Sequence, residues 1–170
     1  ITNLELLRYL KLENCIPQDA QDIHLPKNLN IVATMNSADQ GVFVMDSAFK
    51  RRWIFEYLPI SFENIEHENS IIEYNGQSIT WRVFAEGINE KLSELGINED
   101  KHIGPYFVKQ HEVESKNIIA SKVLIYLWDD VARHKRQYLF NPNIKTFAAL
   151  INAFLTNKKA FNIEFEQTQQ

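Results

Sequence analysis

Residues 25–60, LPKNLNIVATMNSADQGVFVMDSAFKRRWIFEYLPI, decide how the chain is organised. Within them, residues 29–34 (LNIVAT) are almost continuously apolar and do not alternate, which is typical of a strand covered on both faces. The apolar run stops at a polar loop, residues 35–39. In open α/β sheets, ligands lie beyond the carboxyl ends of the strands. The sequence therefore predicts a buried strand as scaffold and the polar loop as a functional site.

The remainder of this stretch predicts a short helix and a second strand. Residues 44–51 are long enough for about two helical turns, and the basic residues 50–52 would place cations at the negative end of the helix dipole. Asp46 is expected to cap this helix or to pair with the arginines. The aromatic-rich residues 53–58 (WIFEYL) favour a strand, which Pro59 ends.

Composition restricts the class of protein. A chain of 170 residues with 45% hydrophobic and 24% charged residues is typical of one soluble globular domain. A net charge of −4 argues against nucleic-acid binding through overall charge, although a local patch is not excluded. The single cysteine, Cys15, excludes an internal disulfide, and no apolar run is long enough to cross a bilayer. We therefore expect a cytoplasmic protein. Because the chain opens on Ile1, we also expect a piece of a longer polypeptide.

The pattern after residue 60 predicts a mostly helical region. Residues 61–78 are polar and acidic and are expected to be a linker, with Asn75-Gly76 as a turn. Thr80 is expected to cap a helix that ends at Gly96. The apolar residues of this helix recur at intervals of three and four: Trp81, Phe84, Ile88, Leu92 and Leu95. Further helices are predicted over residues 115–137 and from a Thr146 cap to Leu155, and a less regular one over residues 3–12. The predicted division is 1–60, a linker at 61–78, a helical region at 79–156 and a polar tail at 157–170.

Taken together, these motifs resemble one known family. The apolar strand, the motif Thr-Met-Asn-x-x-Asp (residues 34–39), Met-Asp-x-Ala-Phe (residues 45–49) and Lys-Arg-Arg-Trp (residues 50–53) are similar to the AAA+ NTPases of the McrB-like family. These are GTP-dependent motor subunits of 5-methylcytosine-specific restriction systems. Residues 102–107 (HIGPYF) resemble a stretch of the lid of these proteins. The resemblance implies an α/β fold: the C-terminal part of an AAA+ αβα domain, with two parallel strands and a short helix, followed by an all-α lid.

The resemblance also implies roles for individual residues. Asn36 would be the sensor-1 residue and would contact the γ-phosphate and the attacking water, while Asp39 would help to hold that water. The alternative is that Asn36 caps a turn and Asp39 caps the next helix. Arg51 and Arg52 would be arginine-finger candidates that act on the nucleotide of a neighbouring subunit; the alternative is a solvated helix end. Asn36, together with Gly104 and Pro105 of the lid stretch, would bind the nucleotide.

The sequence departs from a complete NTPase in three respects. Gln40 stands where some family members have an arginine, and residues 104–107 contain no sensor-2 arginine, for which Lys101, His102 and Lys109 are weak substitutes. None of the five glycines belongs to a GxxxxGK[ST] phosphate loop. Mg²⁺ with GTP or ATP is therefore expected to bind mainly to segments upstream, and this piece alone is expected to be inactive.

The resemblance implies that the protein forms a ring, with a hexamer expected, and that it favours GTP. It also implies an McrC-like endonuclease subunit as partner and contact with DNA through other domains. Two alternatives stay open: an ATP-driven AAA+ protein remodeller, and a non-enzymatic module that binds a partner or DNA. The basic residues 133–136 are expected to be a solvated helix end rather than a DNA contact. The five histidines show no paired spacing that would predict a metal site.

Overall fold

The computed structural model describes residues 3–23, 27–34 and 46–166. The chain divides into two compact units, Ile1–Met35 and Asn36–Gln170. The first unit contains helix α1, Leu4–Leu12, whose N-terminus is capped by the Asn3 side chain, which accepts a hydrogen bond from the backbone N–H of Leu6 at 3.0 Å. The helix predicted over residues 3–12 is confirmed.

The second unit is mostly helical around one antiparallel hairpin. Its regular elements are α2 (Ser47–Lys50), β1 (Ile71–Tyr74), β2 (Gln77–Thr80), α3 (Trp81–Glu94), a 3₁₀ turn (Glu99–Lys101), α4 (Gln110–Val113), α5 (Lys116–Ile119), two π-helical segments (Ala120–Leu124 and Tyr126–Val131), α6 (Arg136–Leu139) and α7 (Phe147–Leu155). No helix among residues 3–23, 27–34 and 46–166 has the length and apolar character needed to cross a membrane.

Helix α3 is the centre of the core, as its spacing predicts. The Thr80 hydroxyl accepts a hydrogen bond from the backbone N–H of Val83 at 3.2 Å, and Gly96 ends the helix region with a φ of +63°. Five side chains of the helix are buried: Trp81, Phe84, Ala85, Ile88 and Leu92. The predicted caps of α7 and α2 are confirmed in the same way. The Thr146 hydroxyl accepts a hydrogen bond from the backbone N–H of Ala149, and the Asp46 carboxylate accepts one from that of Phe49.

The hairpin lies in the segment that the sequence analysis assigned to a linker. Asn75 and Gly76 have positive φ angles of 50° and 76°, the geometry of a type I′ turn, and β1 pairs with β2 from Ile71 opposite Thr80 to Tyr74 opposite Gln77. The predicted turn is confirmed. However, alternate residues face inward, and Ile72 is buried with Tyr74 in the core. This segment therefore packs as part of the core rather than as a linker.

Residues 160–165 pack against the hairpin and α3, although we expected a polar tail at residues 157–170. The hydroxyl of Tyr74 accepts hydrogen bonds from the backbone N–H groups of Ala160 at 3.0 Å and Phe161 at 2.9 Å. Phe165 stacks on Phe84 at 5.3 Å between ring centroids. A Cβ at Gly87 would lie 2.9 Å from the Phe165 ring, so glycine permits this approach. Although the composition of this segment is polar, its aromatic side chains attach it to the core.

The two predicted parallel strands are not formed, so that prediction is wrong for this structure. Residues 29–34 and 53–58 are irregular, and Val32 and Ile54 are almost completely exposed. A strand requires a hydrogen-bonded neighbour, and the sheet found among the described residues is the β1–β2 hairpin. The α/β class is confirmed in this reduced form, while the specific AAA+ arrangement stays a prediction.

The helix predicted over residues 115–137 is interrupted. Its π-helical turns end where the N–H of Ala132 donates to the carbonyl of Leu127 at 2.8 Å, and a turn precedes α6. The wider π turns shift the register of the apolar face. A continuous helix to residue 137 was therefore the wrong prediction, although its apolar face is buried.

Glu112 is a nearly buried carboxylate that joins α4 to the π-helical segment Ala120–Leu124. It accepts hydrogen bonds from the Lys122 ammonium at 2.5 Å and from the backbone N–H of Lys109 at 2.8 Å. The hydrogen bond from Lys122, and then that from Lys109, lower the pKa of Glu112 below its ordinary value of 4.5. The ionised form is therefore stabilised in the folded protein.

We expect Tyr74→Phe to lower the free energy of unfolding by about 2–4 kcal/mol, because it leaves two buried N–H groups without an acceptor. Urea unfolding monitored by circular dichroism measures the change. Tyr138→Phe, which removes the same hydroxyl from an exposed ring, is the control. Equal stability of the two variants would contradict this role of Tyr74.

The second prediction concerns pH. Because the folded pKa of Glu112 is depressed, its stabilising effect is complete above the unfolded pKa and disappears as pH falls through the folded pKa. Glu112→Gln should therefore unfold more easily than wild type at pH 7, and the difference should shrink as pH falls below the ordinary value of 4.5 and vanish once pH is below the lowered folded pKa. Urea unfolding across this pH range, with the exposed neighbour Glu114→Gln as control, measures it. A pH-independent gap would show that ionisation is not the cause.

Candidate functional site

The two polar residues of the predicted catalytic loop lie outside the described residues. Asn36 and Asp39 fall in the gap between residues 34 and 46. Their roles as sensor 1 and water-holding carboxylate therefore stay predictions.

The arginine-finger candidates lie at the C-terminal end of α2. Arg51 is the C-cap residue: its backbone N–H donates to the Ser47 carbonyl at 3.2 Å, and its guanidinium makes one long contact of 3.5 Å with the Ser47 hydroxyl. Arg51 and Arg52 are both exposed, and within residues 3–23, 27–34 and 46–166 neither is within 4.0 Å of a carboxylate. Asp46 caps the helix instead of pairing with them. Both guanidinium groups are therefore accessible to an anion from outside this part of the chain.

The lid stretch that contains Gly104 and Pro105 is held against the core through the backbone carbonyl of Pro105. The carbonyl oxygen of Pro105 lies 3.0 Å from Nε2 of His67 and accepts a hydrogen bond from the indole N–H of Trp81 at 3.4 Å. His67 and Trp81 are both buried, and the next residue, Tyr106, is exposed against the His67 ring. Proline has no N–H to offer a phosphate. A nucleotide contact at this stretch would therefore depend on Gly104, and the assignment stays a prediction.

His67 is the residue of this region that sequence reasoning missed. It lies in a polar, acidic segment without a helical or strand period, so no pattern in the sequence marks it as buried. Its ring nitrogen positions the turn at Pro105, and its partner is 38 residues away along the chain. A contact of this range has no local signal.

A shallow cleft lies beside this stretch and is acidic. Its walls include Glu86, Asn89, Glu99 and His102. Glu99 also raises the pKa of the exposed Tyr57 hydroxyl, chiefly through a hydrogen bond. Two carboxylates would repel a triphosphate, so this cleft is a poor phosphate site.

A second groove is basic and lies where the π-helical segment ends. It is lined by Trp128, Arg133, His134, Arg136, Gln137, Pro142, Ile144 and Lys145. The Arg136 guanidinium lies over the Trp128 ring at 4.5 Å from its centroid. This basic groove belongs to the residues that we expected to be a solvated helix end, and three of its four basic side chains lie in that short segment.

A metal-binding cluster is not found in the part of the chain that the structure describes. No group of three or more His, Cys, Asp or Glu side chains there could hold a metal ion.

Comparisons with known proteins relate the chain to restriction systems. Over 150 residues it is 37% identical to the Type II restriction enzyme BsuMI component YdiS of Bacillus subtilis (strain 168). This alignment covers 86% of this chain and 43% of that protein. Over 77 residues it is 27% identical to the Type IV methyl-directed restriction enzyme EcoKMcrB subunit of Escherichia coli (strain K12). This second alignment covers 45% of this chain and 16% of that protein. No protein-family model and no solved structure matches significantly.

The chain thus spans less than half the length of the curated relatives it matches. Its similarity to them agrees with the resemblance carried by residues 34–53 and 102–107. These similarities relate the chain to restriction-system components and support its resemblance to the McrB-like family.

Proposed function

We propose that this chain is the C-terminal part of an AAA+ NTPase module that acts as the motor of a modification-dependent DNA restriction system, with GTP as the favoured nucleotide. The observation that carries the proposal is the similarity to a restriction-enzyme component over 86% of the chain, together with the similarity to an McrB subunit. The motifs at residues 34–39 and 50–53 supply the chemistry.

In this proposal, Asn36 and Asp39 act on the nucleotide of their own subunit. The Asn36 amide can hydrogen-bond a γ-phosphate oxygen and the attacking water without adding negative charge, and the Asp39 carboxylate can orient that water. Loss of one such polar contact is expected to cost about 3 kcal/mol of barrier, by analogy with oxyanion donors.

Arg51 and Arg52 act on the nucleotide of the neighbouring subunit. Their exposure and the absence of a nearby carboxylate among the described residues support this role. An arginine supplied in trans neutralises charge that develops in the transition state and can raise turnover 10³–10⁵-fold. Adjacent helical residues point about 100° apart, so one arginine reaches across the subunit boundary while the other braces its own chain.

The proposal assigns the phosphate loop and Mg²⁺ to segments beyond this chain. No group of three or more His, Cys, Asp or Glu side chains among the described residues could hold a metal ion. The working assembly would be a ring, a hexamer, with an McrC-like endonuclease subunit.

The first test measures hydrolysis of GTP and ATP by the full-length protein with Mg²⁺. We expect faster turnover of GTP, and we expect Asn36→Ala and Asp39→Ala to lower turnover by about 100-fold or more while nucleotide binding persists. Wild-type turnover in both variants would discard the assignment of this loop. Faster turnover of ATP would favour a protein remodeller instead.

The second test asks whether the arginines act in trans. The Arg51→Ala/Arg52→Ala variant should lose turnover, whereas Lys50→Ala, which removes an exposed cation from the same helix, should not. Mixing this double variant with Asp39→Ala subunits should restore part of the turnover, because some interfaces then combine an intact loop with intact arginines. Mixed rings without any recovery would contradict an arginine finger.

A further inference from the structure

The basic groove at the end of the π-helical segment has arginines that are fixed in place rather than free in solvent. Arg136 donates its Nε–H to the carbonyl of Trp128 at 2.8 Å, and Arg133 donates its Nε–H to the carbonyl of Asp129 at 3.2 Å. Both carbonyls belong to the last turns of that segment, where backbone acceptors lack helical partners. Arg133 thus keeps its two terminal nitrogens as further donors, whereas one terminal nitrogen of Arg136 also donates to the Asp129 carboxylate at 3.4 Å and the other stays a further donor.

The charges around the groove leave a local excess of cations. Asp129 is the carboxylate in contact with it, 3.4 Å from the Arg136 guanidinium. Asp130 is exposed on the same segment but is not part of the lining. Lys135 is turned away, since its ammonium donates to the carbonyl of Leu95. Arg133 and Lys145 therefore face the groove as exposed cations, and the described residues place no carboxylate within 4.0 Å of either.

The lining of the groove combines cations with apolar side chains. The cations come from two separate segments, residues 133–136 and residue 145. Trp128 and Ile144 add apolar surface that a small hydrated anion would not use, whereas a chain of alternating phosphates and sugars could contact both kinds of group. Planar guanidinium groups held in position are also the donors best matched to phosphate oxygens.

We propose that this groove binds the phosphate backbone of duplex DNA independently of sequence. The partner is chosen because both relatives are components of restriction enzymes, and because the cations of the groove match phosphate oxygens, whose contacts carry no sequence information. The helical region would then hold DNA directly, in addition to any contact made by other domains. The net charge of −4 does not oppose this, since phosphate contacts depend on local cations.

The test compares two variants of the full-length protein that each lose one arginine and one lysine. Arg133→Ala/Lys145→Ala removes cations of the groove, and Arg8→Ala/Lys91→Ala removes cations outside its lining. With an unmodified DNA duplex, we expect the groove variant to raise Kd about 10-fold and to reduce the slope of log K against log salt by about 2. The matched variant should leave Kd and the salt slope unchanged. Neither variant should change nucleotide hydrolysis measured without DNA.

A second readout locates the contact. The rate of acetylation of Lys145, measured by mass spectrometry, should fall when duplex DNA is added, while that of Lys91 should not. Identical Kd and salt slope in the two double variants, or no protection of Lys145, would overturn the proposal. Protection of Lys145 by poly-glutamate but not by DNA would also overturn it and would indicate an acidic protein partner.

Discussion

The buried hydroxyl of Tyr74 is the contact on which the second unit depends. It accepts hydrogen bonds from the backbone N–H groups of Ala160 and Phe161, which follow it by 86 and 87 positions in the chain. Burial raises the pKa of this hydroxyl. Without it, the segment after α7 would have buried donors and no acceptor. The same ring contacts Phe165 edge-on at 5.2 Å, so one side chain joins the hairpin, the chain terminus and the aromatic core.

This core also positions the stretch predicted to contact nucleotide. Trp81 begins α3, is completely buried and donates its indole N–H to the Pro105 carbonyl. Nε2 of His67 lies 3.0 Å from the same oxygen. The backbone near Gly104 therefore depends on packing that begins at the hairpin. A change in the core would be transmitted to this turn without touching any residue of a nucleotide site.

Local signals in the sequence predicted the local structure well. The caps at Asp46, Thr80 and Thr146 and the turn at Asn75 depend on neighbours within a few residues, so they could be recognised. The packing of residues 160–165 and of His67 depends on partners far along the chain, which single-sequence patterns do not encode. The parallel strands were predicted from composition alone, whereas a strand also requires a neighbour. For the site, the exposure of Arg51 and Arg52 followed from their place at a helix end, while Asn36 and Asp39 stay predictions.

The two basic helix ends of this chain differ in how their guanidinium groups are anchored. Arg51 has a single long contact with a serine hydroxyl, so its guanidinium keeps most of its rotamer freedom. Arg133 and Arg136 are each fixed by an Nε–H bond to a backbone carbonyl, and Arg136 is further held against Trp128. A mobile arginine suits a group that engages only when a transition state forms, because it does not bind the ground state strongly. Preorganised arginines suit a constant ligand such as a phosphate backbone, because less entropy is lost on binding. The anchoring of the same residue type at two helix ends thus agrees with the two different tasks that we propose for them.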